Sequence, residues 1–160
     1  MLSSRDGDTK IQEHEIESIL ILANKLMEYG VAIKDLDGFY IDYQIAHISK
    51  QFDLIKVTEE SATSIELKSK MTDEEKIKRQ LQHNKYYIDA IQREGFFFTV
   101  VIEPFQVFQL VENELKSIGL EDIVICLQKI SNQPIEDNLD TLFKPSNYLV
   151  SPINNPERFA

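Results

Sequence analysis

The residue types able to do acid–base, nucleophilic or metal chemistry are sparse in this 160-residue chain, and they stand far apart. Glu103 is the acid best placed for a reaction. It closes the apolar run Phe96–Ile102, where open α/β sheets hold ligands just beyond their strands. Its ordinary reading is an N-cap for a helix that begins at Pro104, and with no partner base in view that reading is preferred. Cys126 is the only cysteine. Flanked by Ile125 and Leu127 in an apolar run, it reads as a small buried hydrophobe and not as an activated thiolate. The histidines are His14, His47 and His83. His14 shares a helix face with Glu17, and Glu13 with Glu17, but no second helix carries a matching motif, so a solvated face explains the group better than a metal site. His47 reads as a half-buried histidine on the apolar face of a strand. Asp35-Leu36-Asp37-Gly38 lacks the further ligands of a calcium loop and reads as a turn. No GxGxxG, GxxxxGK[ST] or GxSxG pattern occurs among five glycines and many serines. No catalytic residue, metal ligand or cofactor is therefore assigned.

Charge narrows the partners. Seventeen Lys and Arg oppose 27 Asp and Glu, a formal net charge of −10. Such a surface repels phosphate backbones and anionic membranes and steers basic proteins inward. One basic cluster departs from this: Lys68, Lys70, Lys76, Lys78, Arg79, His83 and Lys85, beside Tyr86 and Tyr87, which could stack on bases. Acids interleave with it, and Glu74 with Lys78 and Glu75 with Arg79 stand at helical pairing distance. No signal peptide, lipidation motif or membrane-length apolar run is visible, and a lone cysteine suits a reducing compartment, so the expected location is cytoplasmic.

The elements that must position these residues follow from periodicity. Thr9-Lys10-Ile11-Gln12 fits a capping box, and Ile16, Ile19, Leu20, Ala23, Leu26 and Met27 recur at helical spacing up to Gly30, predicting a helix over 9–29. Ile21 and Leu22 widen its apolar stripe beyond what one sheet requires, so its second face is deeply buried or meets another molecule. Phe39, Ile41, Tyr43 and Ile45 alternate as a strand, with a helix over 41–52 as the competing reading. A short strand at 52–57 and the alternation Thr63, Ile65, Leu67 complete an antiparallel meander with a polar outer face. Thr72-Asp73-Glu74-Glu75 caps a second long, charged helix over 72–94. Phe96–Ile102 and Ile123–Leu127, joined by a helix over 104–118, read as a βαβ unit. The expected fold is α+β: a mixed sheet from a three-stranded antiparallel meander plus a C-terminal βαβ unit, packed by two long helices. Residues 1–8 are expected to be disordered, 9–130 to form a single domain, and the Pro- and Asn-rich 131–160 to be an arm or tail, with one or two helical turns around Ile135–Phe143 docked on the core.

The favoured function is a non-catalytic, regulatory protein-binding module of the inhibitor, immunity, chaperone or adaptor kind. Its order of a leading helix, a strand meander and a second long helix is similar to that of small acidic secretion chaperones, a likeness of element order with no residue motif behind it. Ile21 and Leu22 on the first helix, with Tyr86 and Tyr87 on the second, are the expected partner-binding residues. The expected partners are a basic protein and a second copy of the chain, a homodimer through Ile21 and Leu22. The alternatives are an enzyme with an acidic site near Glu103 and a nucleic-acid-associated protein using helix 72–94.

Overall fold

The computed structural model describes residues 13–144 and the backbone of residues 2–4. Its elements are β1 (Leu2–Ser4), α1 (Glu13–Glu28), a short 3-10 turn (Ile33–Leu36), β2 (Phe39–Gln44), β3 (Gln51–Val57), β4 (Ser61–Lys70), α2 (Glu74–Ala90), β5 (Glu94–Glu103), β6 (Gln106–Val111), β7 (Glu114–Ile118), α3 (Leu120–Ile130) and α4 (Leu139–Leu142). The fold is α+β, and seven strands form one mixed sheet in chain order. The pairs β2–β3, β3–β4, β5–β6 and β6–β7 are antiparallel, whereas β1–β2 and β4–β5 are parallel. The sheet is thus two three-stranded meanders placed side by side, with β1 added parallel at the β2 edge and α2 as the crossover between β4 and β5.

Both faces of the sheet are covered. On one, Ile19, Leu22 and Leu26 of α1 and Ile123, Leu127 and Ile130 of α3 pack over Phe39, Leu54, Ile65, Phe98 and Val107. On the other, Ile77, Leu81 and Ile88 of α2, with Leu139 and Phe143, pack over Phe52, Ile55, Val57, Phe97, Val101 and Phe108. The outer face expected to be polar and solvated therefore lies beneath α2: Ser64 and Glu66 are both buried. Residues 131–143 are tied to the domain along this side. Glu136 N–H donates to the Val57 carbonyl at 2.8 Å, Tyr40 Oη to the Asp137 carbonyl at 2.9 Å, and Arg93 pairs with Glu136 at 2.8 Å. The expectations for residues 1, 5–12 and 145–160 fall outside the described residues.

The first meander and the two leading helices match their sequence signals in part, α1 over Glu13–Glu28 of the expected 9–29 and α2 over Glu74–Ala90 of the expected 72–94; the C-terminal βαβ unit does not match. Phe96–Ile102 is a strand, but residues 104–118 are two further strands, not a helix. The Glu103–Pro104 peptide is cis and sits in the turn joining β5 to β6. Glu112 and Asn113, both at positive φ (51° and 65°), make the tight turn between β6 and β7, the backbone form that fits strand twist in a two-residue hairpin. Ile123–Leu127 is helical. Leu120, Ile123, Val124, Leu127 and Ile130 carry the i, i+3, i+4 pattern of one buried face, and Glu121 and Asp122 favour a helix start there. His47 is also displaced from its expected place: it is exposed in the β2–β3 turn at φ 65°, not on a strand face. The N-cap of α2 is Asp73, whose carboxylate accepts from Glu75 N–H at 3.0 Å.

Candidate functional site

The most unusual chemistry of the chain lies in the seam between β3 and β4. The antiparallel ladder runs from Val57↔Ala62 to Leu54↔Ile65 and stops. The next rung would pair Asp53 with Glu66, and there side chains replace backbone partners. Leu67 N–H donates to Asp53 Oδ2 at 2.9 Å, and Asp53 N–H faces Glu66 Oε2 at 3.5 Å. Asp53 and Glu66 thus stand opposite each other across this rung, close enough that each carboxyl alters the other's hold on its proton.

Helix α2 delivers the next set of partners. Its buried stripe runs Ile77, Leu81, Asn84, Ile88, so an amide stands where a leucine would otherwise pack. Asn84 Nδ2 donates to Glu66 Oε2 at 3.1 Å and lies 3.3 Å from Ser64 Oγ, and Gln80 Nε2 donates to Glu66 Oε1 at 3.0 Å. Lys50, buried at the end of the β2–β3 turn, donates to Asn84 Oδ1 and lies 4.5 Å above the Phe52 ring. Thr99 of β5 is the strand partner of Glu66, and Asp42 of β2 stands on the far side of Asp53. Asp42 Oδ1 and Thr99 Oγ1 are buried without a hydrogen-bond partner.

Burial dominates the electrostatics. It pushes Glu66 up to about 8, helped by the neighbouring Asp53 charge and opposed by Lys50. It also raises Asp53, against the pull of the Leu67 N–H and the Glu66 hydrogen bond, and it lowers Lys50 against the attraction of Glu66 and Asp53. Two carboxyl groups sharing one proton carry a single negative charge, which the Lys50 ammonium offsets. A neutral set is the arrangement that a low-dielectric interior penalises least.

Asp53 also reaches the other side of the sheet. There it floors a polar cleft of about 420 Å³ between α1 and the end of β4, walled by His14, Glu15, Ser18, Lys68 and Lys70. The carboxyl pair thus connects the α2 face, through the open seam, to the polar cleft beside α1. Among the described residues, no cluster of three or more His, Cys, Asp or Glu is arranged to hold a metal ion, and no helix is long and apolar enough to cross a membrane.

The residues singled out from sequence are scattered. Ile21 is exposed on α1, whereas Leu22 faces inward and is 3% exposed, part of the core against the sheet. Tyr86 is exposed on α2, and Tyr87 beside it is half-buried against the second core. The two rings meet edge-on at 5.1 Å. Glu103 is exposed at the β5–β6 turn opposite Lys70, and the helix it was to cap does not exist. Cys126 sits on α3 under Thr63, and burial pushes its thiol up to about 11. In the basic cluster, Lys78 pairs with Glu114 at 3.6 Å and Lys85 with Asp89 at 2.6 Å.

Glu66, Asp53, Lys50 and Asn84 were missed. Glu66 reads as part of the polar half of an alternating strand, and Asp53 falls in the short strand at 52–57 with nothing to single it out. The available signal was Asn84, the one break in the apolar stripe of α2.

No family model, curated protein or solved structure matches the chain.

Proposed function

We propose that the protein is a non-catalytic binding module that receives a basic amphipathic helix of a partner protein along the outer face of α1. The observation that carries this reading is the one-sided distribution of exposed apolar side chains. Nine large ones are exposed among the described residues. Ile16, Leu20, Ile21 and Met27 lie on α1, Tyr29 and Ile33 just after it, and Ile125 on α3; only Tyr86 and Ile135 lie elsewhere. Helix α1 is thus apolar on two faces. Ile19, Leu22 and Leu26 serve its own sheet, and Ile16, Leu20, Ala23 and Met27 form a second row.

The spacing of that row, four, three and four residues, is the one that takes a facing helix in knobs-into-holes packing. Exposed Glu13, Glu17 and Glu28 flank it on the solvent side. A partner helix with Lys or Arg beside its apolar seam meets these acids favourably. A second copy of α1 would set acid against acid, so a dimer through this row is opposed by charge. Partner specificity would come from the flanking charges and affinity from Leu20 and its neighbours.

The test is capture from a lysate of the source organism with the wild-type chain, Leu20→Asp and Tyr86→Asp, alongside light scattering of the purified chain. A stoichiometric partner retained by wild type and Tyr86→Asp, lost by Leu20→Asp at unchanged thermal stability, supports the reading. Retention by Leu20→Asp, or a homodimer that Leu20→Asp dissociates, overturns it.

The enzyme alternative near Glu103 loses the strand-to-helix junction that motivated it. The nucleic-acid alternative is weakened by the acids that hold Lys78 and Lys85.

A further inference from the structure

The interrupted seam between β3 and β4 has the parts of a switch, and it lies apart from the apolar row on α1. We propose that the Asp53–Glu66 carboxyl pair is a proton-operated latch: with one proton shared the pair closes the seam, and loss of that proton releases the Asp53 carboxylate into the cleft beside α1.

The geometry gives each side chain a different freedom. Glu66 is held by Gln80 and Asn84 of α2, each through one of its oxygens, and is 1% exposed. The Asp53 carboxylate accepts from a single backbone donor, Leu67 N–H, and already lines the cleft. Without the shared proton, two adjacent carboxylates repel in a poorly solvated site. Glu66 cannot leave without undocking α2, whereas Asp53 has the polar cleft behind it. The movable group is therefore Asp53, and the bond that breaks is the one to Leu67 N–H.

The groups facing the pair set the direction. From β2, Asp42 adds negative charge and favours keeping the proton. Lys50, from the β2–β3 turn, attracts both acids and favours losing it, and Lys68 on β4 acts likewise on Asp53. From α2, Gln80 and Asn84 are neutral donors, and His83 lies near Lys50, held below its ordinary value by burial and by that ammonium. Thr99 of β5 is neutral. On the cleft side, Glu15 opposes release of Asp53, while His14, Lys68 and Lys70 would receive it. Burial outweighs these opposing charges and keeps the proton on Glu66 to about pH 8.

The consequence is a local opening at mildly alkaline pH in an otherwise folded chain, confined to Asp53–Leu67. The experiment is nuclear magnetic resonance on the full chain through this range, following the side-chain carboxyl carbons of Asp53 and Glu66 and the amide of Leu67, with the Val100 amide in the neighbouring ladder as a control. The expected result is one shared midpoint for both carboxyls and the Leu67 amide. Above it, Leu67 should lose about tenfold in exchange protection, corrected for the intrinsic effect of pH, while Val100 keeps its own. Glu66→Gln, which retains the shape and removes the proton, should abolish the transition, and Asp53→Asn serves the same end should the glutamine variant fail to fold. Constant Leu67 protection across the range, joint loss at Leu67 and Val100, or a transition that survives in either variant would overturn the latch.

Discussion

Replacing Glu66 with glutamine should make the protein more stable at mildly alkaline pH, an unusual outcome for a change at a residue that is 1% exposed. Burial pushes the Glu66 carboxyl from an ordinary 4.5 up to about 8. The folded state therefore binds the proton more tightly than the unfolded chain does. The stability associated with that proton is complete below the unfolded value and is lost as pH rises through the folded one. Integrating the linkage between the two values puts the loss at about 3 kcal/mol between about pH 5.5 and about pH 8.5. A glutamine has no proton to lose, and its amide can donate to Asp53 as the protonated acid does. Lys50 shifts in the opposite sense and loses a partner in the variant, which reduces the gain without reversing it. The assay is urea unfolding followed by circular dichroism across this range for both proteins. The difference between variant and wild type should grow with pH, by roughly 2–3 kcal/mol over the range. Curves that run parallel, or a variant that loses ground as pH rises, would refute the reasoning and place the proton elsewhere.

Two further predictions rest on the same packing. Asn84→Leu restores a plain apolar stripe on α2 but strips Lys50 and Glu66 of their shared amide, and the buried charges left behind should destabilise by about 3 kcal/mol in denaturant titration. Phe143→Ala removes a side chain 1% exposed between Tyr43 and Phe52 and should lower stability by about 3–5 kcal/mol, with accelerated proteolysis beyond residue 130 as a second readout.

The parts of the fold legible in the sequence were those with one dominant period. The apolar stripes of α1 and α2 and the alternation around Phe39–Ile45 and Thr63–Leu67 are such segments. The C-terminal half misled because both of its signals were ambiguous. An unbroken apolar run such as Ile123–Leu127 has no period of its own and takes its state from what flanks it, here Leu120 and Ile130 at helical spacing. Phe108, Val111, Leu115 and Ile118 fit a helical stripe, yet the turn at Glu112 and Asn113 divides them between two strands. That turn lacks the Asn-Gly or Asp-Gly pair that usually announces such a hairpin. The carboxyl pair was illegible for a different reason. Alternation says that Glu66 and Ile65 face opposite sides, but not that both sides are covered. Once α2 lies over the second face, a residue that read as solvated becomes a buried acid. The outer row on α1 was partly visible as an overfilled stripe. The excess was attributed to Ile21 and Leu22, whereas Leu22 belongs to the core and the exposed row is Ile16, Leu20 and Met27.

The most direct test of the binding face is site-specific photo-crosslinking in the source organism, with a benzoylphenylalanine placed at Leu20 in one chain and at Tyr86 in another. Both positions are exposed, on opposite faces of the sheet. A discrete adduct from position 20, containing a partner peptide with basic residues beside a helical apolar row, and none from position 86, is the predicted result. Adducts from position 86 alone, or a position-20 adduct composed only of a second copy of this chain, would contradict it.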